Sequence, residues 1–280
     1  MSTPTTPTTK PQLHISMINM MDKCWIQFVR RFGARFGIWD NEEIIAPGVA
    51  QTTGTAVHAA IEQNLKAKIA TGKLLELDDV AYRAVERVKQ QWFEGMMLTE
   101  DEAVSPDKTL NDMINTSVGL INLHSTLVAP TIHPAAVEEP WVVEMPNYPY
   151  DLAGKIDCRE EDTTLIDHKT VDKTPGPNAA DTPQSNLYAL NRKVVTGFFP
   201  KAIRLDHMVK NKTPKYEPRI YVPNETGVRR VLARIGRAIE LIELAKLHGP
   251  NIGTPAPADS WVCSKKFCGY AAKCPFWSGK

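Results

Sequence analysis

No run of about 18 apolar residues occurs in this 280-residue chain, so a membrane-spanning helix is not expected. The first residues, "MSTPTTPTTKPQ", contain no apolar signal core. They read as a disordered tail (1–12), and the protein as cytoplasmic. Charge of either sign is not in excess: the net charge is +1, so steering of the whole molecule toward a polyanion does not follow from it. The five cysteines are an odd number without a secretory leader, which argues against a disulfide framework. No internal repeat is visible. The hydrophobic content, 42%, suffices for one large domain, or for a core with a smaller helical lobe.

The first half reads as helical. Helices are expected over 16–32, which carries Cys24, and over 52–70, which carries His58 and has Thr52 or Thr53 as its cap. Two more are expected over 77–96 and 110–128. The pattern changes after Pro134, where 136–146, 150–160 and 162–170 read as successive strands, the last two joined by a short acidic turn as in a hairpin. A helix over 182–195 follows, with Thr182 as cap and Pro183 at its first position. Strands are expected over 201–211 and 215–223. The helix over 225–247 has an apolar stripe of Val228, Val231, Leu232, Ile235, Ile239 and Ile242, and a separate basic stripe of Arg230, Arg234 and Arg237. A Pro-rich linker leads to the last segment.

Charge is segregated although its total is small. Residues 138–167 hold nine acidic and two basic side chains; residues 201–250 hold eleven basic and five acidic. An acidic pocket beside a basic surface suits a metal site acting on a polyanion, although charge runs are as often solvated faces.

The chemistry-bearing residues gather around two strand ends. Asp157 ends one expected strand and Asp167 the next. In a hairpin the two carboxylates come near one end of the sheet, where they repel unless a cation or a proton lies between them. Hard divalent cations with oxygen ligands, Mg²⁺ or Mn²⁺, fit that gap. Strand side chains alternate, so Lys169 shares the face of Asp167 and can stabilise a nearby hydroxide or the charge developing on a phosphate, while His168 points the other way. As a bare surface ion pair, Asp167 and Lys169 would contribute only about 0–1 kcal/mol. Near the end of the chain, Cys263-x4-Cys268-x5-Cys274 places three thiols in twelve residues, which suggests a metal. Cys158, beside Asp157 on the opposite strand face, reads as a small buried hydrophobe.

The order "GKID" (154–157) then "DHK" (167–169), with "GTAVHAAIE" (54–62) upstream and "QSNLY" (184–188) downstream, resembles the PD-(D/E)xK nuclease superfamily in its RecB-like branch. One early and three terminal cysteines resemble the iron–sulfur nucleases of that branch, AddB-type and CRISPR-associated, although the first terminal spacing is C-x4-C rather than the family's frequent C-x2-C. The resemblance implies an α/β restriction-endonuclease-like fold. Its central mixed sheet would be flanked by helices, with an N-terminal helical lobe (13–134), a nuclease core (135–248), and a linker and cluster segment (249–280) packing back on Cys24. It implies His58, Asp157 and Asp167 as Mg²⁺ or Mn²⁺ ligands, with the carbonyl of His168 as a further one. Lys169 would be the catalytic lysine. Gln184 and Tyr188 would contact nucleic acid or brace that lysine, and Glu144 would be an outer carboxylate. Cys24, Cys263, Cys268 and Cys274 would hold a [4Fe–4S] cluster, with Zn²⁺ as the alternative. The implied activity is exonucleolytic hydrolysis of DNA, single-stranded or with free ends, in recombination, repair, phage replication or CRISPR-type processing. Arg230, Arg234 and Arg237 are candidate phosphate contacts, and recombination or CRISPR-type proteins are candidate partners. The alternatives are a non-catalytic DNA-binding or assembly protein on the same fold, or an endonuclease.

Overall fold

The computed structural model describes residues 10–277. In chain order the elements are β1 (Gln12–His14), α1 (Ile15–Lys23), α2 (Trp25–Phe32), α3 (Val49–Thr71), α4 (Leu77–Glu94), α5 (Glu100–Val104), α6 (Pro106–Leu123), β2 (Pro134–Val143), β3 (Asp151–Glu160), β4 (Leu165–Val171), α7 (Pro183–Thr196), β5 (Ile203–Val209), β6 (Lys215–Tyr221) and α8 (Glu225–His248). The strands form one mixed sheet in the order β1-β3-β4-β5-β6, with β2 also on β3. The expected α/β architecture, a central mixed sheet flanked by helices, is therefore present. β3 and β4 form the antiparallel hairpin, β4 and β5 run parallel through the α7 crossover, and β5 and β6 are antiparallel.

The described chain divides into two compact units, one of residues 46–140 and 155–225, the other of residues 10–45, 141–154 and 226–277. In the first, Val57, Ile61 and Leu65 of α3, Val80 and Ala84 of α4, and Leu120 and Ile121 of α6 pack with Cys158, Ile166 and Met208 of the sheet. Cys158 is thus a core residue, and burial raises its thiol to about 12. Gly54 lets α3 come close to β4: a Cβ there would stand 3.0 Å from the Thr170 hydroxyl.

The other unit is built around an aromatic column. Trp25 and Phe28 lie 5.3 Å apart by ring centroid, Phe28 and Phe36 5.7 Å, and Phe36 meets Tyr150 edge-on at 5.3 Å. Trp25 also grips the Pro-rich linker. Its indole nitrogen donates to the Pro250 carbonyl, and its backbone nitrogen donates to Thr254 O at 3.1 Å. Gly253 rests on the indole face, where a Cβ would fall 2.3–2.7 Å from three ring atoms. In the same unit, a Cβ on Gly154 of "GKID" would stand 2.4 Å from the Trp141 ring, so packing alone requires that glycine.

Several expectations change in detail. The helix expected over 16–32 is broken at Cys24, whose backbone is extended (φ −164°, ψ 110°) between α1 and α2. Neither Thr52 nor Thr53 caps a helix: α3 begins at Val49, Thr52 is buried inside it, and the Thr53 hydroxyl donates back to the Val49 carbonyl. The helix over 110–128 starts earlier, at Pro106, and passes into a π-helical turn at His124–Val128. The helix over 182–195 forms as expected, with Thr182 accepting from Ser185 N and Pro183 opening it. Leu232 of the α8 stripe is exposed, whereas Val228, Val231, Ile235, Ile239 and Ile242 are buried. Of the tail expected over 1–12, residues 1–9 lie outside the described residues; Gln12 opens β1, pairing with Asp151. No helix among the described residues is long and apolar enough to cross a membrane.

Replacing Gly253 by alanine forces a methyl group into a buried indole held at both ends of its residue. Overpacking of that kind costs about 1–3 kcal/mol. Urea unfolding of Gly253→Ala is expected to show a lower midpoint with an unchanged slope; a wild-type midpoint contradicts the packing assigned to Trp25.

Candidate functional site

The β3–β4 ladder pairs Cys158 with Ile166 and Arg159 with Leu165, and no further. At the next step Asp157 Oδ2 accepts the His168 backbone N–H at 2.9 Å, so a side chain replaces the ladder and the strands part. His58 of α3 reaches this opening, its Nδ1 3.3 Å from Asp157 Oδ2. Its imidazole is pulled below the usual histidine range by burial, partly offset by the charge of Asp167, so the ring is neutral at pH 7 and can act as a ligand. The Asp157 carboxyl is pushed up to about 8, first by burial and then by Asp167 beside it; Lys169 and the His168 amide oppose that rise.

Asp167, buried, is held from three directions. Lys169 Nζ lies 2.6 Å from its Oδ2. Gln184 Nε2 donates to its Oδ1 at 3.0 Å, and the Tyr188 hydroxyl lies 3.2 Å from the same oxygen. Gln184 completes a closed loop: its Oε1 accepts from Lys169 Nζ at 3.0 Å, and its Nε2 also reaches the Tyr188 hydroxyl at 2.7 Å. The Tyr188 hydroxyl can donate in turn to the Lys155 carbonyl at 2.9 Å. Spacing four residues apart on α7 brings Gln184 and Tyr188 to one face, and the Thr182 cap with Pro183 sets where that face begins. Within the protein, Gln184 contacts both Asp167 and Lys169, and Tyr188 contacts Asp167.

His58, Asp157, Asp167, Lys169, Gln184 and Tyr188 thus come together in one unit. Glu144 is exposed and belongs to the other unit. Besides Asp167, the charge of Glu138 also helps to raise Asp157. Glu138 sits on β2 with φ 56°, a left-handed conformation rare for a non-glycine residue, and is ion-paired with Lys155. No pattern in the sequence marks that backbone. Behind the sheet, His168 points away from Asp167 as strand alternation requires, and packs edge-on against His124 at 5.0 Å and His58 at 6.1 Å. His207 stands opposite Lys169 in the β4–β5 ladder. The chain order gives no hint of the meeting of His124 with His168, because it depends on the π-turn after α6. Arg234 is ion-paired with Asp22, while Arg230 and Arg237 are exposed on α8.

In the other unit, Cys24, Cys263, Cys268 and Cys274 line one pocket with Gln27, Tyr270 and Trp277, and all four are free thiols. Cys263 is raised above the usual thiol range by burial and by Cys274 and Cys24; Cys268 is raised chiefly by burial. Four thiols around one pocket are soft donors of the kind that fit a thiophilic metal centre. The carboxylate pair and neutral imidazole at His58, Asp157 and Asp167 fit a hard divalent cation on the same ground. Among the described residues no three His, Cys, Asp or Glu side chains converge closely enough to hold a metal as they stand.

Because folded Asp157 keeps its proton up to about pH 8 and the unfolded chain releases it near pH 4, the folded state binds the extra proton between these values. Without added divalent cation, this group's contribution therefore falls as pH rises from about 4 to about 8. Asp157→Asn is expected to remove that decline, read as the variant-minus-wild-type difference in urea midpoint across the window. A difference that does not grow with pH contradicts the assignment.

The family model of the PD-(D/E)XK nuclease superfamily matches residues 13–275. No curated protein matches. Among solved structures, a candidate exonuclease from Eubacterium rectale is 10% identical over 85% of this chain and 82% of its own, with a TM-score of 0.51; at that identity the likeness is one of fold. A second, SSO0001, is 14% identical over 84% of this chain and 88% of its own, with a TM-score of 0.37. With the family model spanning nearly the whole described chain, the chain belongs to the PD-(D/E)XK nuclease superfamily.

Proposed function

We propose that the chain is a metal-dependent deoxyribonuclease of the RecB-like branch, a cytoplasmic exonuclease that hydrolyses phosphodiester bonds at DNA ends, single-stranded ones above all. The observation that carries this reading is the closed hydrogen-bond loop of Asp167, Lys169, Gln184 and Tyr188 beside the opening where His58 meets Asp157. A bare ion pair needs no such bracing, whereas a catalytic constellation must be held in one geometry.

His58, Asp157, Asp167 and the His168 carbonyl would hold Mg²⁺ or Mn²⁺. When bound, that cation supplies Lewis-acid charge at the phosphate and lowers the pKa of water. The remaining roles belong to the chain's own side chains. Lys169 has three N–H donors; one goes to Asp167 and one to Gln184, which leaves one for the attacking water or a phosphate oxygen. Gln184 fixes the ammonium from one side and the carboxylate from the other, so neither rotates away. Tyr188 locks the orientation of the Gln184 amide. Arg230, Arg234 and Arg237 on α8 are the candidate contacts for the strand's phosphates.

Lys169→Ala and Asp167→Ala are each expected to lower cleavage of linear DNA by roughly 10²-fold or more, as removal of a charge-stabilising group does. Gln184→Ala, which only positions, should lose roughly 10-fold and keep its DNA affinity. Protein that binds DNA but cuts neither linear nor circular DNA with Mg²⁺ or Mn²⁺ would sink the reading in favour of a non-catalytic DNA-binding or assembly protein. Cutting of closed circles would replace exonuclease by endonuclease.

Cys24, Cys263, Cys268 and Cys274 are proposed to hold a [4Fe–4S] cluster, tying the start of the chain to its end; the shared pocket and the free thiols support this. Zn²⁺ would suit the same donors. Purified protein is expected to be brown with iron and sulfide bound, and Cys24→Ala to lose both and unfold earlier. Colourless protein with stoichiometric zinc would replace the cluster by zinc, and metal-free protein of full stability would remove the site altogether.

A further inference from the structure

Beside the cysteine pocket lies a second cleft that the proposed chemistry does not use. Ser16, Asn19, Met20 and Lys23 of α1, with Gln27, form one wall; Trp261, Val262 and Phe267 form the other. Its volume, about 380 Å³, lies within the ~300–1,000 Å³ of small-ligand sites and admits a planar base. Trp261 and Phe267 stand edge-on to each other, centroids 5.1 Å apart at 89°, yet they are 62% and 52% exposed. Core packing does not account for large rings left this open.

Lysines surround these rings. Lys23 Nζ lies 5.9 Å from the Trp261 centroid, and Lys266 Nζ 5.8 Å from Phe267; nearby, Lys265 Nζ lies 5.5 Å from Trp277. From Trp261 to Trp277 the chain has three lysines and neither Asp nor Glu. Asp22, next to Lys23, is taken up by Arg234. Lys273 is paired with Glu43, which leaves Lys23, Lys265 and Lys266 beside the aromatic rings, so the charge at the rings is positive although the whole chain is near neutral. Exposed aromatic faces interleaved with ammonium groups are how proteins hold single-stranded nucleic acid: bases stack on the rings and lysines meet the phosphates. Ser16, Asn19 and Gln27 add hydrogen-bonding groups that base edges can use and lipid tails cannot.

We infer that Trp261 and Phe267, with Lys23, Lys265 and Lys266, form a base-stacking platform for single-stranded DNA. This rests on the nuclease reading and assigns to it a substrate contact outside the residues that would cut. Each ring stacks on one base, so the platform is indifferent to sequence but requires a strand whose bases are unpaired. Stacking demands no particular distance to the cutting residues.

The test reads binding separately from cleavage, in full-length Lys169→Ala protein, by fluorescence anisotropy. The probes are a labelled oligo-dT of about 15 nucleotides and an abasic strand of the same length. Trp261→Ala and Phe267→Ala are each expected to weaken oligo-dT binding roughly 10-fold and to leave the abasic strand unaffected. Trp261→Phe should restore most of the affinity. Lys265→Ala with Lys266→Ala should weaken both strands and flatten the salt dependence. Unchanged oligo-dT affinity in Trp261→Ala, or an equal loss on the abasic strand, overturns the platform; so does a Trp261→Phe protein as weak as Trp261→Ala. If wild-type protein cuts DNA while these variants bind it normally, the nuclease reading stands and the platform alone falls.

Discussion

The hydrogen bond from the His168 amide to Asp157 Oδ2 is the contact on which the candidate site depends. An antiparallel hairpin would otherwise continue its ladder and set Asp157 against Asp167 on a closed surface. By taking the amide, Asp157 ends the pairing after Cys158↔Ile166 and leaves a gap that His58 can enter from α3. The cost is a buried carboxylate beside another one, visible in the rise of Asp157 to about 8. Everything else nearby offsets that repulsion or holds it in place: Lys169 against Asp167, Gln184 across both, Tyr188 behind Gln184.

A division of labour follows from which face each residue uses. The face with Cys158, Ile166 and Met208 is dry and packs under α3, α4 and α6. The face with Asp157, Asp167 and Lys169 meets α7. Strand alternation thus separates core from chemistry within single strands, and a one-residue slip would bury the charges and expose the core. The close approach of α3 at Gly54 and the crossover through α7 keep that register.

Much of this was legible because it is local. Asp167 and Lys169 two apart, Gln184 and Tyr188 four apart, and Thr182 before Pro183 are patterns that strand and helix geometry convert directly into shared faces and a cap. His58 was readable only through its place in the motif order, since a helical histidine by itself says little. What escaped depends on long-range packing or backbone strain. Thr52 and Thr53 look like caps, yet α3 starts earlier, at Val49. β1 is three residues long and exists through its parallel partner in β3. Glu138 takes a left-handed backbone that no composition signals, and its charge joins that of Asp167 in raising Asp157. The Pro-rich run after α8 reads as a linker, but Trp25 grips it through Pro250, Thr254 and Gly253. That grip places the last three cysteines around the same pocket as Cys24.

The central claim is that the parted end of the β3–β4 hairpin is where a divalent cation and the residues around it cut DNA. The most direct measurement is a time course of end-labelled linear DNA with wild-type protein, with and without added Mg²⁺ or Mn²⁺. The account predicts progressive release of label from the ends, only with the cation. DNA that stays intact with either cation, although the protein binds it, would contradict the claim.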